Sequence, residues 1–349
     1  MTRNLSVHEY FQNLARTHQP SLRFAGRSRN DWETWHRALK PRLLATLGLM
    51  PEPVPLNPEI LVEWREDGLI KRKIVFDVEH NLSATGYVFC PEEASPRRPA
   101  ILACHGHGPF GKEAVMGSAG TAELAANIAF HHYDYGLQMA KAGFVTMAID
   151  WRGFGERDDR RKPHYRTVGG GNAGGDLCNA HFLRAAILGR TVLGMDIHDG
   201  LCALNYLTGL DFVDPQRIGV MGLSFGGTMA TWLSISDQRI AATDIICYSD
   251  LFANFGIRDV NFCGSQITPG LYALCDVPDL HGLIAPRPLL VEIGIHDECF
   301  RCEGALACYH EVEKIYEAAG ARESLLLDLF PGEHSWGARK SVNFFRKFL

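Results

Sequence analysis

No run of about 18 apolar residues occurs anywhere in the 349-residue chain, so no membrane-spanning helix is expected. The opening stretch, MTRNLSVHEYFQNLARTHQP, has no basic start followed by an apolar segment and a small-residue cleavage site. That lack points away from export and toward a cytoplasmic location. Basic residues do not dominate: 35 Lys and Arg stand against 40 Asp and Glu, a net charge of −5, which argues against a nucleic-acid partner. Neither an internal repeat nor a long low-complexity tract is present. The ten cysteines include no two pairs at zinc-like spacing. Cys104 and Cys247 sit in apolar runs, where a thiol behaves as a small hydrophobe. The group Cys299, Cys302 and Cys308, beside His296, lacks a second ligand pair and reads as packing at the start of a helix. No metal and no cofactor are expected.

Apolar residues make up 46% of the chain, enough for a large core. Residues 1–55 read as an N-terminal helical extension, with DWETWHRALKPRLLATLGLM as its main helix, Asp31 as N-cap and a stop at Gly48 and Pro51. This extension is expected to pack on the core or on a second copy of the chain, which leaves a homo-oligomer open. After a Pro-rich linker, ILVEWREDGLIKRKIVFDVE and ATGYVFCP alternate as antiparallel strands, with REDG as a hairpin turn. From residue 99 onward short apolar strands alternate with amphipathic helices. That grammar predicts an α/β fold, a mostly parallel sheet flanked by helices and spanning residues 56–349. Right-handed crossovers then bring the strand C-termini to one edge, where open α/β sheets bind ligands. Two stretches break the alternation, about 156–185 and 251–284, and are read as insertions over that edge.

The chemistry-bearing motif is Gly222-Leu223-Ser224-Phe225-Gly226, between the strand RIGVMG and an apolar helix. A serine on such a sharp strand–turn–helix needs flanking glycines, because neighbouring chain passes too close for a Cβ. The turn lifts Oγ above the sheet edge at a helix N-terminus, where negative charge is favoured. A serine nucleophile also needs donors for a developing oxyanion. The backbone N–H of Phe225 is one candidate. The loop His105-Gly106-His107-Gly108, after the strand AILAC, offers the N–H of His107 as the other. His105 and His107 as metal ligands are the competing reading, as are His131 and His132, but no carboxylate stands near the first pair in sequence. Downstream, LLVEIGIHDE ends a strand at Asp297 and LLLDLFPGEHSW ends the next at His334. These fit an orienting acid and a general base. Glu298 and Asp250 compete for the acid, and His296 and His310 are poorer bases. Phe110, Phe225 and Trp336 flank the motifs and are candidates for a substrate pocket. The run from Arg152 to Arg166 carries Arg157, Arg160 and Arg161 against Glu156, Asp158 and Asp159, and reads as a solvated, self-paired loop rather than an anion site.

Taken together, HGHG after a strand, AIDWRGFGE, DPQRIGVMGLSFGG, PRPLLVEIGIHDE and FPGEHSW resemble the dienelactone hydrolase and prolyl-oligopeptidase-like branch of the α/β-hydrolases. Within it, acetyl xylan esterase-like hydrolases are the most similar. The resemblance covers about residues 70–349. It implies a triad of Ser224, Asp297 and His334, an oxyanion hole at the backbone of His107 and Phe225, and a small-molecule ester as substrate, with acetyl esters of carbohydrates as one class. Three departures limit transfer of a substrate. Dienelactone hydrolases proper use Cys where this chain has Ser224. The residues before the first core motif are too few for the propeller of a prolyl oligopeptidase. Acetyl xylan esterases are often exported, and no leader is visible here. A peptidase or amidase with the same triad is the alternative, and a non-catalytic binding protein on this fold is a further one.

Overall fold

The computed structural model describes residues 3–93, 97–161 and 177–349. Arg166 and the Gly-rich stretch 168–176, assigned above to the first insertion, lie outside them, as does the side chain of Arg161. Nine strands form one sheet: β1 (Glu59–Glu66), β2 (Leu69–Glu79), β3 (Leu82–Pro91), β4 (Arg98–Cys104), β5 (Val145–Ile149), β6 (Val213–Leu223), β7 (Ile240–Ile246), β8 (Leu289–Gly294) and β9 (Leu325–Phe330). Their order is β1-β2-β3-β5-β4-β6-β7-β8-β9. The first three pair antiparallel, β3 meets β5 antiparallel, and every pairing from β5 through β9 is parallel. This is the α/β-hydrolase fold. The turn at Asp67 and Gly68 falls inside the REDG motif, and both residues have positive φ (54° and 71°), the geometry that a two-residue hairpin requires.

Ahead of the sheet lie α1 (Val7–Thr17) and α2 (Arg29–Ala45). Between β4 and β5 come α3 (Lys112–Val115), α4 (Ala122–His131) and α5 (Tyr135–Lys141). Helices α6 (Leu177–Ile187) and α7 (Val192–Thr208) precede β6, and α8 (Phe225–Ser236) follows it. Short helices α9 (Leu271–Leu274) and α10 (Val277–Gly282) precede β8, and α11 (Cys302–Ala318) and α12 (Ser341–Phe348) flank β9. The segment 251–284, read from sequence as loop, therefore holds α9, α10 and a π-turn over Phe252–Arg258. Its aromatics, not periodicity, drive it inward: Phe252 and Phe255 are buried. Helix α4 was not anticipated either. Among the described residues no helix is long and apolar enough to cross a membrane.

The inner parallel strands β4, β5, β7 and β8 are buried on both faces along most of their length, and so they read as continuous apolar runs. Along β4, Ala100, Leu102 and Cys104 join the core on one side, and Ile101 and Ala103 join the core on the other. Helix α2 belongs to the first of these cores through Trp32, Trp35, Leu39 and Leu43. It starts one turn earlier than the sequence suggested. Ser28 is the N-cap, its hydroxyl accepting from the N–H of Asp31, and the Asp31 carboxylate reaches back to the N–H of Ser28. Asp31 thus closes a capping box rather than forming the cap itself.

A chain starting at residue 55 is expected to lose its cooperative thermal transition. Trp32, Trp35, Leu39, Leu43 and Leu47 are all buried. At about 1.5–3 kcal/mol for each such side chain, their loss is comparable with the roughly 5–15 kcal/mol that holds a whole protein folded. Scanning calorimetry checks this; a sharp transition within a few degrees of the full chain's would contradict it.

Candidate active site

Ser224 is the N-cap of α8, with φ 59° and ψ −119°. A non-glycine residue persists there only where its surroundings over-determine it. The constraints are visible. The Ser224 N–H donates to Ile246 O on β7 (2.9 Å), and the Ser224 carbonyl accepts from the N–H of Gly227 (2.8 Å) and of Thr228 (3.2 Å). A Cβ on Gly222 would lie 2.2 Å from Gly226 O, and one on Gly226 would lie 2.0 Å from Cys104 O. Cys104 ends β4 in register with Gly222 on β6. The same close packing that demands glycine thus sets the loop after β4 beside the serine.

Asp297 follows β8 and His334 follows β9. His334 Nδ1 is 2.8 Å from Asp297 Oδ2. The other oxygen, Oδ1, accepts from the N–H of Cys299 (2.7 Å) and of Phe300 (3.0 Å). The carboxylate is buried and the imidazole half-buried, its ring stacked on Phe300 at a centroid distance of 5.9 Å. The rival acids are elsewhere. Glu298 is exposed, and Asp250 is turned toward Leu251 N and Asn254 Nδ2. His296 is exposed, and His310 pairs with Glu313 on the surface of α11.

In the loop after β4, His105 is fully buried. Its Nε2 accepts from the N–H of Trp151 (3.0 Å), so the proton sits on Nδ1, which donates to Gly106 O (2.8 Å). Both nitrogens are engaged, which removes His105 from any metal reading and gives it the work of pinning this loop to the chain just after β5. Burial holds its pKa down at about 4. His107, by contrast, is exposed, with Nε2 3.3 Å from Cys178 Sγ. Phe225 is fully buried at the first position of α8. Ser224 and His334 face one cavity of about 340 Å³, whose wall also includes His107, Val260, Phe262, Cys263, Gln266 and Phe300.

A family description, the Abhydrolase family, matches residues 2–309. The chain belongs to this family. It is 27% identical over 319 residues to "Putative hydrolase YtaP" of Bacillus subtilis, an alignment covering 89% of this chain and 98% of that one. Among solved structures it is similar to a "putative acetyl xylan esterase" from Bacteroides fragilis, with TM-score 0.72, 20% identity, and 94% and 83% of the two chains covered. It is also similar to a glucuronoyl esterase from Solibacter usitatus, with TM-score 0.66, 14% identity, and 90% and 93% covered. At those identities the likeness is one of fold.

In this Abhydrolase-family chain the expected pocket residues lie apart from the cavity. Trp336 is buried, its indole N–H donating to Ser341 Oγ (2.9 Å), and Phe110 packs half-buried against the core on the α5 side. Phe225 lies beneath the elbow. Each is adjacent to a motif in sequence, but its side chain is drawn into apolar packing instead. The aromatic wall comes from Phe262 and Phe300, which no motif marked. The Arg152–Arg161 run is also not a solvated loop. Arg152 binds Asp199 through two bonds (2.9 and 2.6 Å) and pairs with Glu79, while Arg157 reaches the same Asp199 (2.7 Å). Arg160 does pair within the run, with Asp158. These partners, half-buried Glu79 on β2 and buried Asp199 on α7, lie far off in sequence.

Two supports for His334 were also missed. His131 Nδ1 lies 2.6 Å from the His334 carbonyl, and Cys247 Sγ sits 3.5 Å from Ser335 O. The pair His131 and His132 thus anchors the loop after β9; His132 Nδ1 is 3.3 Å from Trp336 O. Cys299, Cys302 and Cys308 are not assembled with any histidine among the described residues, and they pack on the core.

On α10, His281 is fully buried, and among the described residues neither ring nitrogen has a hydrogen-bond partner. Burial pushes its pKa down to about 3. A histidine with a depressed folded pKa stabilises fully above its unfolded value of about 6.5 and less as pH falls toward the folded one. At pH 5 that loss is about 2 kcal/mol. His281→Leu is expected to raise the thermal midpoint at pH 5 more than at pH 8; equal shifts at both would contradict this.

Proposed function

We propose that this protein is a serine carboxylesterase in which Ser224 is the nucleophile, His334 the general base and acid, and Asp297 the residue that orients His334. The observation that supports this most directly is the strained Ser224 facing one cavity with a histidine whose far nitrogen is tied to a buried carboxylate. The bond at Nδ1 leaves Nε2 as the acceptor for the serine proton. As Ser224 Oγ bonds to the ester carbon, His334 takes its proton, and the carbonyl oxygen becomes an oxyanion. The N–H groups of Phe225 and His107 are the proposed donors to that oxyanion, one at the N-terminus of α8 and one on the loop held by His105. Collapse expels the alcohol, which receives the proton from His334, and an acyl-Ser224 remains. Water, activated by the same imidazole, then releases the acid and restores Ser224.

The cavity wall combines Val260, Phe262 and Phe300 with the amides Asn261 and Gln266. An apolar wall with a few hydrogen-bonding groups suits a short acyl chain on a polyhydroxylated alcohol, which makes acetylated carbohydrates the favoured substrate class. The fold neighbours named as carbohydrate esterases support that choice. Ten cysteines with no disulfide among them fit a reducing compartment such as the cytoplasm. Treatment with a fluorophosphonate is expected to give one adduct per chain, mapped to Ser224 by peptide mass spectrometry, with an acetyl ester turned over far faster than the matching acetanilide. Adduct formation elsewhere would refute the assignment, and faster anilide cleavage would favour an amidase.

A further inference from the structure

Beside the proposed nucleophile, three soft or borderline ligands converge from three separate parts of the chain. His107 stands on the loop after β4, Cys178 near the start of α6, and Cys263 on the segment that enters a short turn at Gly264–Gln266. Their ligand atoms all lie within 4.8 Å of one another. His107 Nε2 and Cys178 Sγ are 3.3 Å apart, and the Cys178 and Cys263 thiols are hydrogen-bonded to each other. A tetrahedral zinc ion with sulfur at about 2.3 Å and nitrogen at about 2.0–2.1 Å places its ligand atoms roughly 3.5–3.8 Å apart, so these side chains need only small rotamer adjustments to reach it.

We infer that His107, Cys178 and Cys263 form a binding site for a soft divalent cation, with Zn²⁺ as the best fit. Two thiolates and an imidazole select such a metal over hard cations, which take oxygen ligands. Charge also closes: Zn²⁺ displaces one proton from each thiol, two in all, and the resulting Zn(thiolate)₂(imidazole) group is neutral. That suits a site in which both cysteines are buried. The fourth position is left for water or a ligand on the side of His107, which is exposed and shares the cavity with Ser224 and His334. The ion would tie the loop after β4 to α6 and to the segment at Cys263, three pieces of chain that no secondary-structure pairing joins. His107 carries the proposed oxyanion N–H, so occupancy is expected to inhibit ester cleavage. That consequence rests on the proposed function; the binding does not.

A second group, Cys247, Asp297 and His334, has its ligand atoms equally close, and the test must separate the two. Co²⁺ added to the intact reduced protein serves as a spectroscopic probe, and Zn²⁺ competes it off. The expected result is one Co²⁺ per chain, tetrahedral visible bands, and thiolate-to-cobalt charge transfer of two-sulfur intensity. Cys178→Ser and Cys263→Ser should each halve that intensity and weaken Zn²⁺ by more than about 100-fold, beyond what loss of an outer supporting contact costs. Cys247→Ser should leave the spectrum unchanged. Absence of two-thiolate charge transfer in the wild-type protein overturns the inference without reference to any variant's folding. A spectrum abolished by Cys247→Ser alone overturns it in favour of the other group. Because the readout is optical, it stands whether or not Ser224 proves to be a nucleophile.

Discussion

Ser224→Ala is expected to lower kcat for an acetyl ester by about 10⁵–10⁶-fold, while KM and the thermal midpoint stay near their original values. The change removes one oxygen and keeps a Cβ, so the backbone at φ 59° is no more strained than before. The carbonyl and N–H of residue 224 keep their bonds to Gly227, Thr228 and Ile246. The contact between His334 and Asp297 also remains, as do the walls of the cavity. What survives is binding and the proposed oxyanion donors, a combination worth roughly 10³–10⁴-fold over water in serine hydrolases with such a triad. Single-turnover kinetics, together with a melting curve, separate loss of chemistry from loss of fold. More than about a hundredth of wild-type activity in a folded Ser224→Ala protein would mean that another group attacks the ester.

Asp297→Asn should cost about 10⁴-fold in kcat for a different reason. The two carboxylate oxygens face different partners. Oδ1 accepts from two N–H groups, of Cys299 and Phe300, and Oδ2 faces His334 Nδ1. An asparagine side chain placed here keeps its oxygen against the two N–H donors, since an NH₂ there would meet two hydrogens. Its NH₂ then points at Nδ1 and turns that nitrogen into an acceptor. The imidazole proton moves to Nε2, the atom that must take the serine proton. The protein should therefore stay folded and bind substrate but lose rate, with partial recovery as pH rises and Ser224 ionises without help. A loss that is independent of pH, or a fall in stability of several kcal/mol, would show that Asp297 is a structural residue.

The contrast between what the sequence revealed and what it hid has a physical basis. The elbow was legible because backbone collisions at Gly222 and Gly226 leave glycine as the tolerated choice, and that demand is local. The contact between Asp297 and His334 was legible because each follows a short apolar strand, and the loops after neighbouring parallel strands share an edge. The wall of the cavity was not legible. Val260, Phe262 and Gln266 reach it through a segment whose shape follows from Phe252 and Phe255 being buried, not from any period in the sequence. Trp336 and Phe110 misled for the converse reason: proximity along the chain does not say which way a side chain turns. The partners of Arg152 and Arg157 were hidden because Asp199 and Glu79 stand on elements that only the assembled fold brings together.

One feature of the sheet bears on how such a protein changes over generations. Ser224, Asp297 and His334 hang from the ends of β6, β8 and β9, which are locked to their neighbours by ladders of backbone bonds. The facing wall, residues 260–266, belongs to no strand. With the roles proposed for these residues, a displacement of about one ångström at a strand end is expected to cost on the order of 10²-fold in rate. Within the facing wall Val260, Asn261 and Phe262 are exposed or half-buried and open to change, whereas Gly264 and Gln266 are buried against Phe182 and Thr228. Reaction and substrate choice thus rest on separate parts of the chain, and exchanging residues 260–262 between relatives is expected to move substrate preference while the rate on a small activated ester stays put.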